Sequence, residues 1–195
     1  MPLATFREQD NARNEESPVT QARYTPAQIT LHWLSALLVL AIIALPYGKD
    51  LFAGLLGGAG GVFTLHKSLG LSVLLLTVAR LLVRARHGAP QLLPASERLN
   101  LLAAKAGHAL LYALLILMPL SGLLFGKRPV SLFWLVEIPP LPLADAVREA
   151  AKAFHVTAQY LLFVLILGHA AAAIWHHHVR RDDVLRAMLP ARDQA

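Results

Sequence analysis

The sequence predicts an all-α fold: an integral membrane four-helix bundle with both termini cytoplasmic. Three observations predict it. Apolar residues make up 56% of the 195 positions and charged residues only 15%, where an ordinary globular domain carries roughly 25% charged. The charges are withdrawn from four stretches long enough to cross a hydrocarbon core, which takes roughly 20 apolar residues. Lysine and arginine gather on one side of the connections between them, as they do in cytoplasmic loops. A soluble domain of this length has too much surface to cover with so few charges, and the apolar content excludes a disordered chain. A soluble bundle would also show polar faces at helical period. The absence of cysteine excludes disulfides, zinc–thiolate sites, iron–sulfur clusters and thiol nucleophiles.

Residues 1–27 are polar and mixed in charge, and we expect them to be mobile. Arg7, Glu8, Asp10, Glu15 and Glu16 do not suit the basic opening of a cleaved signal peptide. The membrane domain, of four spans, is expected over residues 28–176. Its first helix is predicted at 28–46, because no Asp, Glu, Lys or Arg occurs from residue 29 to 47. Six glycines in residues 48–61 mark the turn that follows. The second helix is predicted at 62–83, with Lys67 and Arg80 inside its ends, where long basic side chains can snorkel to the interface. The connection after it carries Arg84, Arg86, His87, Pro90, Pro94 and Arg98. The third helix is predicted at 105–125. Pro139, Pro140 and Pro142 break the next connection, where Phe133 and Trp134 suggest a dip into the interface. The fourth helix is predicted at 152–176, and a basic cytoplasmic tail follows over 177–195. No internal repeat of 20–50 residues is present.

Orientation follows from the basic residues. Arg7, Arg13 and Arg23 precede the first helix. Arg80, Arg84, Arg86, Arg98 and Lys105 lie around the second connection, and Arg180, Arg181, Arg186 and Arg192 follow the fourth helix. With four spans, all three regions share one side. The opposite side has Lys49, Lys127, Arg128, Arg148 and Lys152, offset by Asp50, Glu137, Asp145 and Glu149. The bias places both termini in the cytoplasm. The net charge of +6 therefore has a topological cause, membrane lipid is the expected surface partner, and nothing is left for nucleic acid to explain.

Five histidines fall inside the predicted spans: His32, His66, His108, His155 and His169. An ionisable residue at membrane depth is costly and points to function. No Asp or Glu accompanies them, whereas proton relays and cation transporters use carboxylates. Imidazoles alone suit a metal or haem iron. Alternating helices put His32 and His169 at the cytoplasmic depth, and His66 and His155 at the opposite one. On the fourth helix the 14-residue step from His155 to His169 is ~21 Å of rise and within about 40° of whole turns, so both point the same way. Two sites are thus stacked across the membrane, each with two histidines. A bare ion wants three or more protein ligands; a planar macrocycle supplies four itself, which makes two six-coordinate haems b the expected cofactors. No Cys-x-x-Cys-His attachment is needed.

The neighbours of these histidines admit two readings each. Gly70, Gly168 and the four alanines at 170–173 fit a flat cofactor or ordinary helix packing. Arg80, 14 residues after His66, meets a haem propionate or snorkels to lipid phosphate. Lys67 meets a propionate or a quinone head, or snorkels. His108 bonds a propionate or a quinone carbonyl, or bridges helices. His87 is expected in solvent, and His176, His177 and His178 at the membrane edge, pointing to different faces.

Five segments carry a family resemblance: Thr30-Leu31-His32-Trp33-Leu34, Leu65-His66-Lys67-Ser68-Leu69-Gly70, Gly107-His108-Ala109-Leu110-Leu111-Tyr112, the opening Phe154-His155 to Tyr160, and Gly168-His169-Ala170-Ala171-Ala172. Together they resemble the bacterial cytochrome b561 family over about residues 24–190. The resemblance implies four helices, two haems b, location in the bacterial inner membrane and electron exchange with the ubiquinone pool. It implies His32, His66, His155 and His169 as the haem ligands, and superoxide oxidation with ubiquinone as acceptor as a candidate activity. Lys67, Lys49, Lys127, Arg128 and Lys152 then offer positive charge to an anionic donor at the periplasmic mouth. A cytochrome b membrane-anchor subunit, taking electrons from a periplasmic protein partner, is the main alternative. A haem-free histidine-lined transporter or metal channel is the other.

Overall fold

A computed structural model describes residues 23–190. Four long helices dominate it: α1 (Pro26–Tyr47), α3 (Ala59–His87), α4 (Arg98–Leu124) and α5 (Asp145–Trp175). A short α2 (Lys49–Ala53) lies between the first two of them, and a hairpin of β1 (Val130–Leu132) and β2 (Val136–Ile138) between the last two. All four long helices are apolar enough to cross a membrane. Each begins before its predicted span, by seven residues at α4 and α5. The hydropathy window marks what hydrocarbon accepts, while backbone hydrogen bonding continues into the polar interface. The predicted N-terminal segment lies outside the described residues apart from its last few positions.

Local chemistry sets the ends. Thr25 and Gln28 form a reciprocal capping box, with Pro26 in the first turn of α1. Gln28 Nε2 also donates to the Gly88 carbonyl at 2.8 Å, tying the start of α1 to the end of α3. Gly88 takes φ +71° as the α3 cap, a conformation that favours glycine. Gly61 has a tighter reason to be glycine, since a Cβ there would fall 1.7 Å from the Leu56 carbonyl oxygen.

The bundle is apolar outside and selectively polar inside. Leu37, Leu40, Leu75, Val164 and Leu167 face outward, as lipid-facing positions should. Inside are Val62, Val73, Leu114 and Leu162, together with the buried hydroxyls of Ser35, Ser68, Thr77 and Ser121. Each hydroxyl bonds a carbonyl one turn back on its own helix, at 2.6–2.9 Å, so none of these four is stranded and the small side chains let helices approach. α1 packs on α3, α3 on α4, and α4 on α5, but α5 scarcely approaches the backbones of α1 and α3. Side chains join α5 to them, among them two histidine pairs and Tyr47, which stands against Phe163 and donates to Gln159.

The third connection, read from sequence as proline-broken with a dip at Phe133 and Trp134, contains a short hairpin. Val130, Ser131 and Leu132 pair antiparallel with Ile138, Glu137 and Val136. Phe133, Trp134 and Leu135 connect the strands, and the first two take φ of +48° and +59°, left-handed values in tight turns usually filled by Asn and Gly. Buried Ser68 holds the turn, accepting from the Phe133 N–H at 2.8 Å. Arg148 braces the same connection from α5 by donating to the Gly126, Leu141 and Leu143 carbonyls.

Candidate functional site

α5 presents His155 and His169 on one face at two depths, and each meets a histidine of another helix. The His66 and His155 ring centroids are 6.3 Å apart; those of His32 and His169 are 6.1 Å apart. An imidazole nitrogen bonds a metal at about 2 Å, which puts the ring centre about 3 Å from the ion. Two rings gripping one ion from opposite sides therefore stand about 6 Å apart. Both pairs have that spacing. Among the described residues no group of three or more His, Asp or Glu could hold an ion by itself, so a group bringing its own in-plane ligands suits these pairs better than a bare ion.

The His66–His155 pair, termed outer for the orientation expected from the basic flanks (the His32–His169 pair being then the inner one), is set up in the ligand tautomer. His66 Nδ1 lies 3.0 Å from the Ile42 carbonyl, and His155 Nδ1 lies 2.9 Å from the Met118 carbonyl. A carbonyl only accepts, so both Nδ1 atoms carry the proton and both Nε2 atoms keep a free lone pair. Ser121 donates to the same Met118 carbonyl at 2.9 Å and lies 3.0 Å from His155 Nδ1. The Phe125 ring stands edge-on to His155, 5.4 Å between centroids. Beside the pair is a mainly apolar cavity of about 360 Å³, bounded by all four long helices and lined among others by Val39, Phe63, Gly70, Met118, Gly122 and Leu162. That is within the usual size of cofactor sites.

The inner pair is arranged differently. Arg80 turns inward, its Nη2 donating to His32 Nδ1 at 3.1 Å, and its guanidinium lies 5.3 Å from the centre of the Tyr112 ring. Of the two readings of Arg80, the one in which it leaves the bundle for lipid is not what the structure shows. His108 joins this cluster, its ring 5.4 Å from that of His169, so three histidines and an arginine meet where sequence reasoning paired two.

The remaining expected positions divide. Lys67 lines the outer cavity. Of the other outer cations, Lys49 is 3.7 Å from Asp50 and Lys127 is 2.7 Å from Asp145, so two of the five have a carboxylate partner. Gly70 borders the cavity with nothing within 4 Å of a notional Cβ. His87 is exposed. The three consecutive histidines leave the α-helical run. They enter a π-helical turn, His176–Arg180, in which His176 Nδ1 pairs with Asp182 at 2.5 Å and His177 Nδ1 is buried without a partner. Arg180 pairs with Glu97 across the chain, and Trp33 Nε1 donates to the Met188 carbonyl at 2.7 Å, which docks residue 188 against α1. The Arg180 guanidinium, with Asn100 beside it, holds the Glu97 carboxyl below its usual range. Sequence reasoning missed Ser121 and Gly122. A Cβ on Gly122 would lie 3.4 Å from His155 Cε1, and the only signal for it was a Ser-Gly pair facing a histidine 33 residues away.

Comparison with known proteins places this architecture. Residues 23–191 match the family described as prokaryotic cytochrome b561. The chain is 34% identical over 175 residues to cytochrome b561 homolog 2 of Escherichia coli K12, covering 87% of this chain and 93% of that one. It is 27% identical over 177 residues to cytochrome b561 homolog 1 of the same organism, covering 87% and 98%. It is also 27% identical over 177 residues to a Yersinia pestis protein named probable superoxide oxidase CybB, covering 87% and 97%.

Proposed function

The chain belongs to the prokaryotic cytochrome b561 family, multi-pass membrane electron-transfer proteins that carry haem b, and from that premise we propose that it holds two haems b, one at each histidine pair, and moves electrons from the periplasmic side to ubiquinone. The observation that carries the proposal is the repetition of one spacing, 6.3 Å and 6.1 Å, at two depths on one face of α5. Haem bound with two histidine ligands supplies one-electron transfer and keeps no open position for oxygen.

The chain's residues supply the rest. His66 and His155 are oriented by the Ile42 and Met118 carbonyls, and the surrounding apolar helices exclude water. Lys67, beside His66 at the outer cavity, offers positive charge to a small anion. This favours superoxide as the donor, in keeping with the name of the Yersinia relative. The basic inner flanks, from Arg80 to Lys105 and beyond Arg180, support termini in the cytoplasm and location in the bacterial inner membrane. The test is haem per chain by pyridine haemochrome assay, with a reduced-minus-oxidised spectrum. Two haems are expected; a ratio near zero or one overturns the proposal.

A further inference from the structure

The hairpin divides by face. Val130, Leu132, Val136 and Ile138 share one face as cross-strand partners, and Ser131 and Glu137 share the other. β1 packs on α3 and buries Val130. β2 has no such cover. Phe133, Trp134, Leu135, Val136 and Ile138 are all exposed, Leu135 by 85%. A run of this kind is unfavourable in water. Phe133 and Trp134 also hold φ of +48° and +59°, a region that strains bulky residues. The connection thus turns apolar side chains outward against a backbone cost. Ser68 fixes it there. Wholly buried, its Oγ donates to the Thr64 carbonyl at 2.9 Å and accepts from the Phe133 N–H at 2.8 Å. Ser68 lies two residues after His66 on α3, so the tip is tied to the turn that carries His66 and Lys67.

We propose that the hairpin is a lipid anchor: Trp134, Leu135 and Val136 enter the leaflet at the His66 end of the bundle, and Ser68 passes that hold to the turn of α3 beneath them. Continuity favours lipid over a protein as the occupant. The spans face hydrocarbon through Leu37, Leu40, Leu75, Val164 and Leu167, and Tyr47, Leu51 and Leu55 extend the exposed apolar surface beyond the end of α1. α2 and β1 both pack on α3, so these residues and the hairpin lie at the same end. Trp33 and Trp175 stand exposed at the other end. Trp134 with Tyr47 then completes the second of two aromatic belts, where amphipathic rings meet the headgroups. Glu137, on the opposite face of its strand, is left for water. The mouth beside Lys67 is thereby held at the membrane surface.

The chain has no cysteine, so a single introduced thiol reports its own surroundings. Leu135→Cys, and Ser96→Cys in the exposed second connection, are made in the full chain. Each is placed in nanodiscs of phosphatidylethanolamine and phosphatidylglycerol, one chain per disc, and alkylated with a sulfonated maleimide. Helical circular dichroism checks folding. Leu135→Cys is expected to react at least tenfold more slowly than Ser96→Cys, and a phospholipid with a diazirine on its acyl chain should crosslink to residues 129–141 on illumination, read by mass spectrometry. Alkylation as fast as at Ser96→Cys puts the tip in water, as for a surface that awaits a protein or a second copy, and overturns the anchor. Slow alkylation without a lipid crosslink means that the tip folds back on its own chain, and overturns it too. Adding Trp134→Ser and Val136→Ser to the Leu135→Cys chain should raise its rate several-fold; an unchanged rate means that lipid does not hold the tip. Adding Ser68→Ala should also raise it, and no change overturns the tie to α3. Should Ser68→Ala misfold, hydrogen exchange at the Phe133 amide of the unaltered chain reads the same tie: strong protection is expected, and exchange at the intrinsic rate overturns it.

Discussion

The outer and inner histidine pairs are nearly identical in spacing and opposite in preparation. Backbone carbonyls orient both outer rings with Nε2 free, and a cavity of about 360 Å³ is open beside them. At the inner pair a guanidinium holds His32 in the other tautomer, and a third histidine packs against His169. A backbone carbonyl in a helix is fixed by its own ladder, whereas an arginine has several rotatable bonds and a charge that responds to whatever arrives. The same four histidines thus make one site oriented by backbone carbonyls and one oriented by a charged side chain.

Removing ligands tests the comparison most severely. His66→Ala and His155→Ala should each delete the outer haem, and His32→Ala and His169→Ala the inner one, leaving about half the haem per chain in every case. Members of a pair should share a spectrum and a redox titration. Identical spectra from His155→Ala and His169→Ala would break the division into two sites.

Crowding the outer site comes next. Gly122→Leu places a branched side chain where a Cβ already lies 3.4 Å from His155, so overpacking should displace the ring. Outer haem occupancy should fall several-fold while the inner site stays near wild type, read by haem assay and potentiometry. Equal losses at both sites would show that the pairs are not independent.

A charge change at the outer mouth should matter less and leave haem content alone. Lys67→Gln should slow reduction by superoxide about threefold at low salt and flatten its dependence on ionic strength, because exposed charge is screened over ~8 Å at physiological salt. Unchanged kinetics in stopped flow would favour a protein donor and the anchor-subunit reading.

The smallest effect lies beyond the inner pair. Glu97 has its carboxyl held low by Arg180, so the contribution is present above the unfolded carboxylate range, near pH 4–5, and is lost as pH falls through the lowered folded value. Both side chains are about three-quarters covered, unlike the exposed Lys127–Asp145 pair at the outer end. Protection of residues 176–182 against hydrogen exchange, taken relative to the intrinsic amide rate at each pH, should fall on acidification from pH 6 to 3, and in Glu97→Gln it should already be low at pH 6. Lys127→Gln should leave exchange near Asp145 unchanged, as expected of a surface pair.

Much of this was legible in the chain because it follows from periodicities. Charge-free lengths read as spans, and a 14-residue step on one helix reads as two depths on one face. The hairpin was not legible, because Phe133 and Trp134 are unusual in a tight turn and hold it only with Ser68, 65 residues away, beneath them. The role of Gly122 was hidden for the same reason, since it depends on what α5 places opposite it.

By itself the sequence determined that the protein spans a membrane four times, that it concentrates histidines without carboxylates there, and which histidines share a depth. Each of these is a one-dimensional consequence of hydropathy and helical rise. The tertiary structure alone decided which nitrogen of each ring is free, that Arg80 points at His32 and not at lipid, and that His108 belongs to the inner cluster. Those outcomes depend on donor and acceptor atoms of different helices coming within about 3 Å of each other, and no spacing along one helix specifies what a second helix brings to meet it.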